Sequence, residues 1–167
     1  MAVTVDQIKA LRQMTGAGIM ECKEALEETG GDLEKSAELL RQKGFAQVFK
    51  RAGRATTEGL IEAYIHTGGR VGALVELGCE TDFVARTPEF KALAHDIAMQ
   101  VAAMSPAYLS KEEMTEGETR PAAQVSLLQQ PFIKDNSRLV EEVVQELAAK
   151  VGENVRVVRF TRLALEE

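Results

Sequence analysis

Few side chains in this 167-residue sequence are equipped for covalent chemistry, and none is spaced to use it. His66 and His95 are the only histidines, and neither has a companion at metal-ligand spacing. Cys22 and Cys79 stand far apart with no CxxC partner. That pattern argues against a disulfide framework or a zinc site and for a reducing compartment, the cytoplasm. No GxxxxGK[ST] cradle for phosphates occurs, and "GGRVG" at 68–72 reads as a hairpin turn rather than a dinucleotide fingerprint. The carboxylate runs "EALEE" and "VEEVVQE" follow helical spacing, the mark of solvated helix faces. Catalysis and cofactors are therefore not expected, and function is sought in binding.

Two side chains stand out as contacts. At about 100° per residue, Ile19, Cys22, Ala25 and Leu26 share one face of a helix, which should be its core face. Met20 falls away from that face, beside Lys23, Glu24 and Glu27, where a soft thioether could meet a partner. The second is Phe83 in "CETDFVARTPEF", at a junction between a strand and a short helix "DFVAR" capped by Thr81. It is either a core anchor or a ring meant for another molecule. Composition favours the anchor. Val84 beside it can serve the core instead, and Glu80 and Asp82 make the corner costly to bury.

These residues need elements to hold them. Thr4 and Gln7 form a capping box ahead of a first helix, and Gly16 to Gly18 punctuate its end. A second helix is expected from Ile19 to Thr29. Asp32 should cap a third, "LEKSAELLRQK", closed by Gly44. "FAQVFKRAGRA" reads as a separate helical linker. "GLIEAYIH" and "RVGALVELG" flank "TGG" as a β-hairpin, with Val71, Ala73, Val75, Leu77 and Cys79 alternating towards a core. Thr87 and Pro88 open a helix "EFKALAHDIAMQVAAM". A polar linker at 115–124 leads to "VSLLQQPF", a helix "SRLVEEVVQELAAKVG" and a last strand "NVRVVRFTRLAL". The expected fold is α+β: an N-terminal three-helix module at 1–45, a helical linker at 46–57 and a core at 58–167. In that core a three-stranded antiparallel sheet packs against helices.

The bulk properties agree with a folded soluble domain, at 45% hydrophobic and 28% charged residues. A net charge of -6 gives no general attraction to nucleic acid or an anionic membrane. No apolar run approaches membrane-spanning length, and "MAVTVDQIKALRQ" has no basic segment leading an apolar one, so no secretory signal is expected.

The long block "IKALRQMTGAGIMECKEALEETGGDLEKSAELLRQKG" resembles the N-terminal module of the bacterial elongation factor Ts family. "ELGCETDFVAR" is similar to that family's Thr-Asp-Phe-Val signature, and "QPFIKD" and "VGENVRVVRF" resemble further family blocks. The resemblance implies a guanine nucleotide exchange factor for the GTPase elongation factor Tu, acting by binding alone. Phe83, with Thr81, Asp82 and Val84, would enter the partner near its magnesium and phosphate site. Ile19 and Met20, with Lys9, Arg12 and Lys23, would grip the same domain from its far side. His66 resembles a family position near a second contact surface. The single core resembles short family members, for which a homodimer is expected. Such members carry a longer helical segment where 115–124 stands here. Two rivals remain: a protein-binding adaptor, since the three helices are similar to ubiquitin-associated (UBA) modules, and an RNA binder using Arg41, Lys43, Lys50, Arg51 and Arg54. Absence of aromatic interleaving argues against RNA.

Overall fold

Thr4 starts the first helix as its type and spacing require. In the computed structural model, which describes residues 3–165, the Thr4 side chain accepts from the Gln7 N–H and the Gln7 side chain accepts from the Thr4 N–H. Residues 1, 2, 166 and 167, the outermost of the expected 1–45 and 58–167 units, lie outside it. Helix α1 (Val5–Thr15) is followed by α2 (Ile19–Glu28) and α3 (Leu33–Arg51), the last capped by the Asp32 carboxylate. Leu11, Cys22, Ala25 and Leu26 are buried between these three helices, with Ile8, Leu33 and Leu40 at the margin.

Helix α3 does not stop at Gly44. It runs on through Phe45 to Arg51, so the expected separate linker helix is its continuation. The glycine serves another purpose. A Cβ placed on it would sit 3.1 Å from the Ala149 Cβ, so its bare backbone lets α3 lie close against the later helix Val140–Val151.

Strand β1 (Glu58–Ile65) pairs antiparallel with β2 (Val71–Cys79) in the expected hairpin. Next come α4 (Asp82–Ala85), α5 (Pro88–Met104) capped by Thr87, and a short α6 (Ala122–Val125). Strands β3 (Pro131–Phe132) and β4 (Asp135–Leu139) form a small ribbon before α7 (Val140–Val151) and β5 (Arg156–Ala164). Strand β5 joins the free edge of β2, giving the order β1-β2-β5. Ala73, Val75, Leu77 and Cys79 of β2 face Phe90, Ile97 and Val101 of α5, with Val140, Val144 and Ala148 of α7 in the same core. The architecture is the expected α+β one.

The helix expected from Ser137 begins only at Val140. Asp135 explains the delay, because its carboxylate accepts from both the N–H and the hydroxyl of Ser137 and ties those residues into the ribbon. Beneath the ribbon two buried amides lock it to α5. Gln100 donates to Gln130 Oε1 at 3.2 Å and to the Pro131 carbonyl at 3.1 Å, and accepts from the Ile133 N–H at 2.6 Å. Gln130 in turn donates to the Gln124 carbonyl at 2.9 Å. Both amides are satisfied, as burial demands.

Candidate partner interface

The corner after β2 is built by the end of one pattern and the start of another. The inward alternation of β2 finishes at buried Cys79, and Thr81 then caps α4 with its hydroxyl 3.4 Å from the Val84 N–H. On this single turn Ala85 is buried and Val84 half-buried against the core, so the residue about 160° round from Ala85 must face outward. That residue is Phe83, 79% exposed. The core-anchor reading of Phe83 is thus overturned, because its neighbours already fill the inner side. Asp82 holds an ion pair with Arg86 at 2.9 Å. Glu80 is half-buried yet partnered: it accepts from the Asn154 N–H at 2.7 Å and lies 3.5 Å from Arg54.

The helical module carries a second group. Met20 is 62% exposed at the start of α2, outward as its spacing predicts. Ile19 is 57% exposed, contrary to its expected place on the core face. It is the first residue of α2 and lies outside the cluster that Cys22 and Leu26 form with α1 and α3. Lys9, Arg12 and Lys23 are all exposed, with Lys23 Nζ 3.7 Å from Glu27. His66 lies apart from both groups, exposed just beyond β1, with Nδ1 3.0 Å from the Tyr64 hydroxyl. The Tyr64 ring also meets His95 edge-on, at 5.8 Å between centroids, and His95 Nδ1 is 3.1 Å from Glu62 Oε1. The candidate residues therefore occupy three places: the corner, the helical module and the end of β1.

Two residues near the corner lie in the block "VGENVRVVRF" but were given no role from the sequence. Glu153 and Asn154 are 72 and 74 positions away from the residues they hold, Thr81 and Glu80. No local spacing announces such a contact. Burial first, and then the Glu153 carboxylate, pushes the Cys79 thiol up to about 11, so the thiol under the corner stays neutral.

A family model described as elongation factor TS matches residues 21–120. Elongation factor Ts of Thermotoga petrophila is 47% identical over 195 aligned positions, covering 100% of this chain and 98% of the relative. The chain belongs to the elongation factor Ts family. Family members named elongation factor Ts from Carboxydothermus hydrogenoformans and Pseudothermotoga lettingae are 46% and 45% identical. Those alignments cover 99% and 100% of this chain, and 90% and 100% of the relatives. They run over 195 and 197 positions against 167 residues here, so these family members hold residues without a counterpart in this chain.

Proposed function

We propose that this chain is a guanine nucleotide exchange factor for elongation factor Tu, and that Phe83 with Asp82 disturbs the partner's magnesium and phosphate site. The observation that carries the reading is the outward Phe83 ring on a corner that fills its core side without it. A large aromatic kept in water at a rigid corner gains by burial in another molecule. Family membership supplies the partner.

No covalent step is needed. A factor that binds the nucleotide-free GTPase better than the loaded form must weaken nucleotide binding by the same factor. Speeding release about a thousandfold takes roughly 4 kcal/mol of stabilisation at the leaving transition state. Burying one Phe side chain contributes about 1.5–3 kcal/mol. A second hold is therefore required, and Ile19 and Met20, flanked by Lys9, Arg12 and Lys23, supply it from the helical module. His66 belongs to a further contact surface. GTP refills the emptied site by mass action, so the factor sets no direction.

The working form in this reading is a cytoplasmic homodimer. Ile61, Ile65, Leu74 and Leu163 are exposed on the sheet face opposite α5, where an antiparallel sheet facing water should be polar. A second copy of the same face would cover them. The alternative is a helical adaptor without exchange activity, which would bind its target but leave nucleotide release unchanged. Release of labelled GDP from elongation factor Tu, with wild-type protein and with Phe83→Ala, tests the proposal. Phe83→Ala should fold normally and lose most of the stimulation. Full stimulation by that variant would remove the wedge.

A further inference from the structure

Strand β2 leaves two backbone N–H groups, those of Glu80 and Thr81, beyond the end of its ladder. Both donate to Glu153 Oε2, each at 3.0 Å. The Thr81 hydroxyl donates to Glu153 Oε1 at 2.5 Å and accepts from the Val84 N–H, the first turn of α4. One carboxylate thereby holds the end of the strand and the start of the helix between which Phe83 projects.

The register explains how it gets there. Gly78 pairs with Arg156, so the same register carried two residues further sets Glu80 opposite Asn154. At that point the chains exchange side chain to backbone bonds instead of ladder bonds: the Asn154 N–H to Glu80 Oε1, the Glu80 N–H to Glu153. Gly152, at φ 72, ends α7 in the left-handed conformation and turns the chain towards the corner. The Asn154 amide then donates to the Ala52 and Arg54 carbonyls at 3.2 and 2.7 Å, just past the end of α3.

Resting on the exchange reading above, we infer that Glu153 is a positioning residue for Phe83: it fixes the direction of the ring through Thr81 and α4, while Asn154 ties the same clasp to the helical arm. A four-residue helix cannot hold its own orientation. Without the carboxylate, two N–H groups lose their partner and the ring samples many directions. That freedom must be given up again on binding, at the step where the ring acts.

The test is the rate of labelled GDP release from elongation factor Tu as a function of factor concentration, which separates the plateau rate from the half-saturating concentration. Glu153→Ala should lower the plateau about tenfold, as misplacement of an acting group does, and shift half-saturation by less than about twofold. Glu153→Gln keeps a carbonyl acceptor for the two N–H groups and should restore much of the plateau, which also guards against a variant that simply fails to fold. In a Phe83→Ala background, Glu153→Ala should have no further effect on the plateau. The inference is overturned by a plateau that Glu153→Ala leaves unmoved, or by an equal proportional loss with and without Phe83. An unchanged plateau for Phe83→Ala alone removes the wedge and the inference with it, whereas no stimulation of release by the wild-type protein sinks the exchange reading itself, whatever Glu153 does.

Discussion

Phe83 and Met20 ask different things of a partner, and the difference can be measured. In the proposed exchange Phe83 acts at the step of release, whereas Met20 holds. Met20→Ala should raise the half-saturating concentration about five- to twentyfold, equivalent to about 1–2 kcal/mol of lost apolar contact, with the plateau rate nearly unchanged. A titration that shows equal affinity removes Met20 from the interface. At this scale the sequence was informative where direction is set by a residue's immediate neighbours. Met20 could be placed outward from helical spacing alone, and Val84 already offered the core a substitute for Phe83. Ile19 was misplaced on the core face, since periodicity gives the face of a helix and not how much of that face, at its first residue, is covered. Glu153 was invisible because its partners meet it only through the register of β2 and β5.

The elements were readable where a cap or an alternation marks them, as at Thr4, Asp32, Thr87 and along β2. They were misread where one residue type serves two purposes. Gly44 looks like a terminator and is a contact point for α7, while Asp135 and Ser137 look like a helix start and form a ribbon. The segment we take to be shortened, 115–124, is held by its own small brace. Arg120 pairs with Glu118 at 2.7 Å, and Tyr108 reaches Thr115 and Glu118. The Arg120 side chain first, and then its backbone N–H, holds the Glu118 carboxyl down to about 2, from an ordinary 4.5. A carboxyl depressed in the folded state adds stability above its unfolded value and loses it as pH falls through the folded one. The gap in thermal midpoint between wild type and Glu118→Gln should therefore be full at pH 7, shrink below about 4.5 and close near 2. A gap independent of pH would show that the brace works through shape rather than charge.

At the scale of the whole molecule, the uncovered sheet face makes association its own test. Leu163 is 77% exposed on β5, in register with Gly72 and, through it, with Ile65. Leu163→Glu should turn the proposed dimer into a monomer in analytical ultracentrifugation, because a carboxylate facing a covered apolar surface carries a desolvation cost. A wild-type chain that sediments as a monomer would end the dimer proposal directly. Beyond association, there is the unbroken run of α3 from Leu33 to Arg51, a rod of about 28 Å. One end of it carries the three-helix module; the other is fastened by Asn154 to the corner that bears Phe83. Such a rod makes the molecule a calliper with a fixed gape. If the proposed exchange uses both jaws, a GTPase whose nucleotide domain is thicker or thinner than that gape would not touch both at once, and selectivity would be set by dimension as much as by surface chemistry.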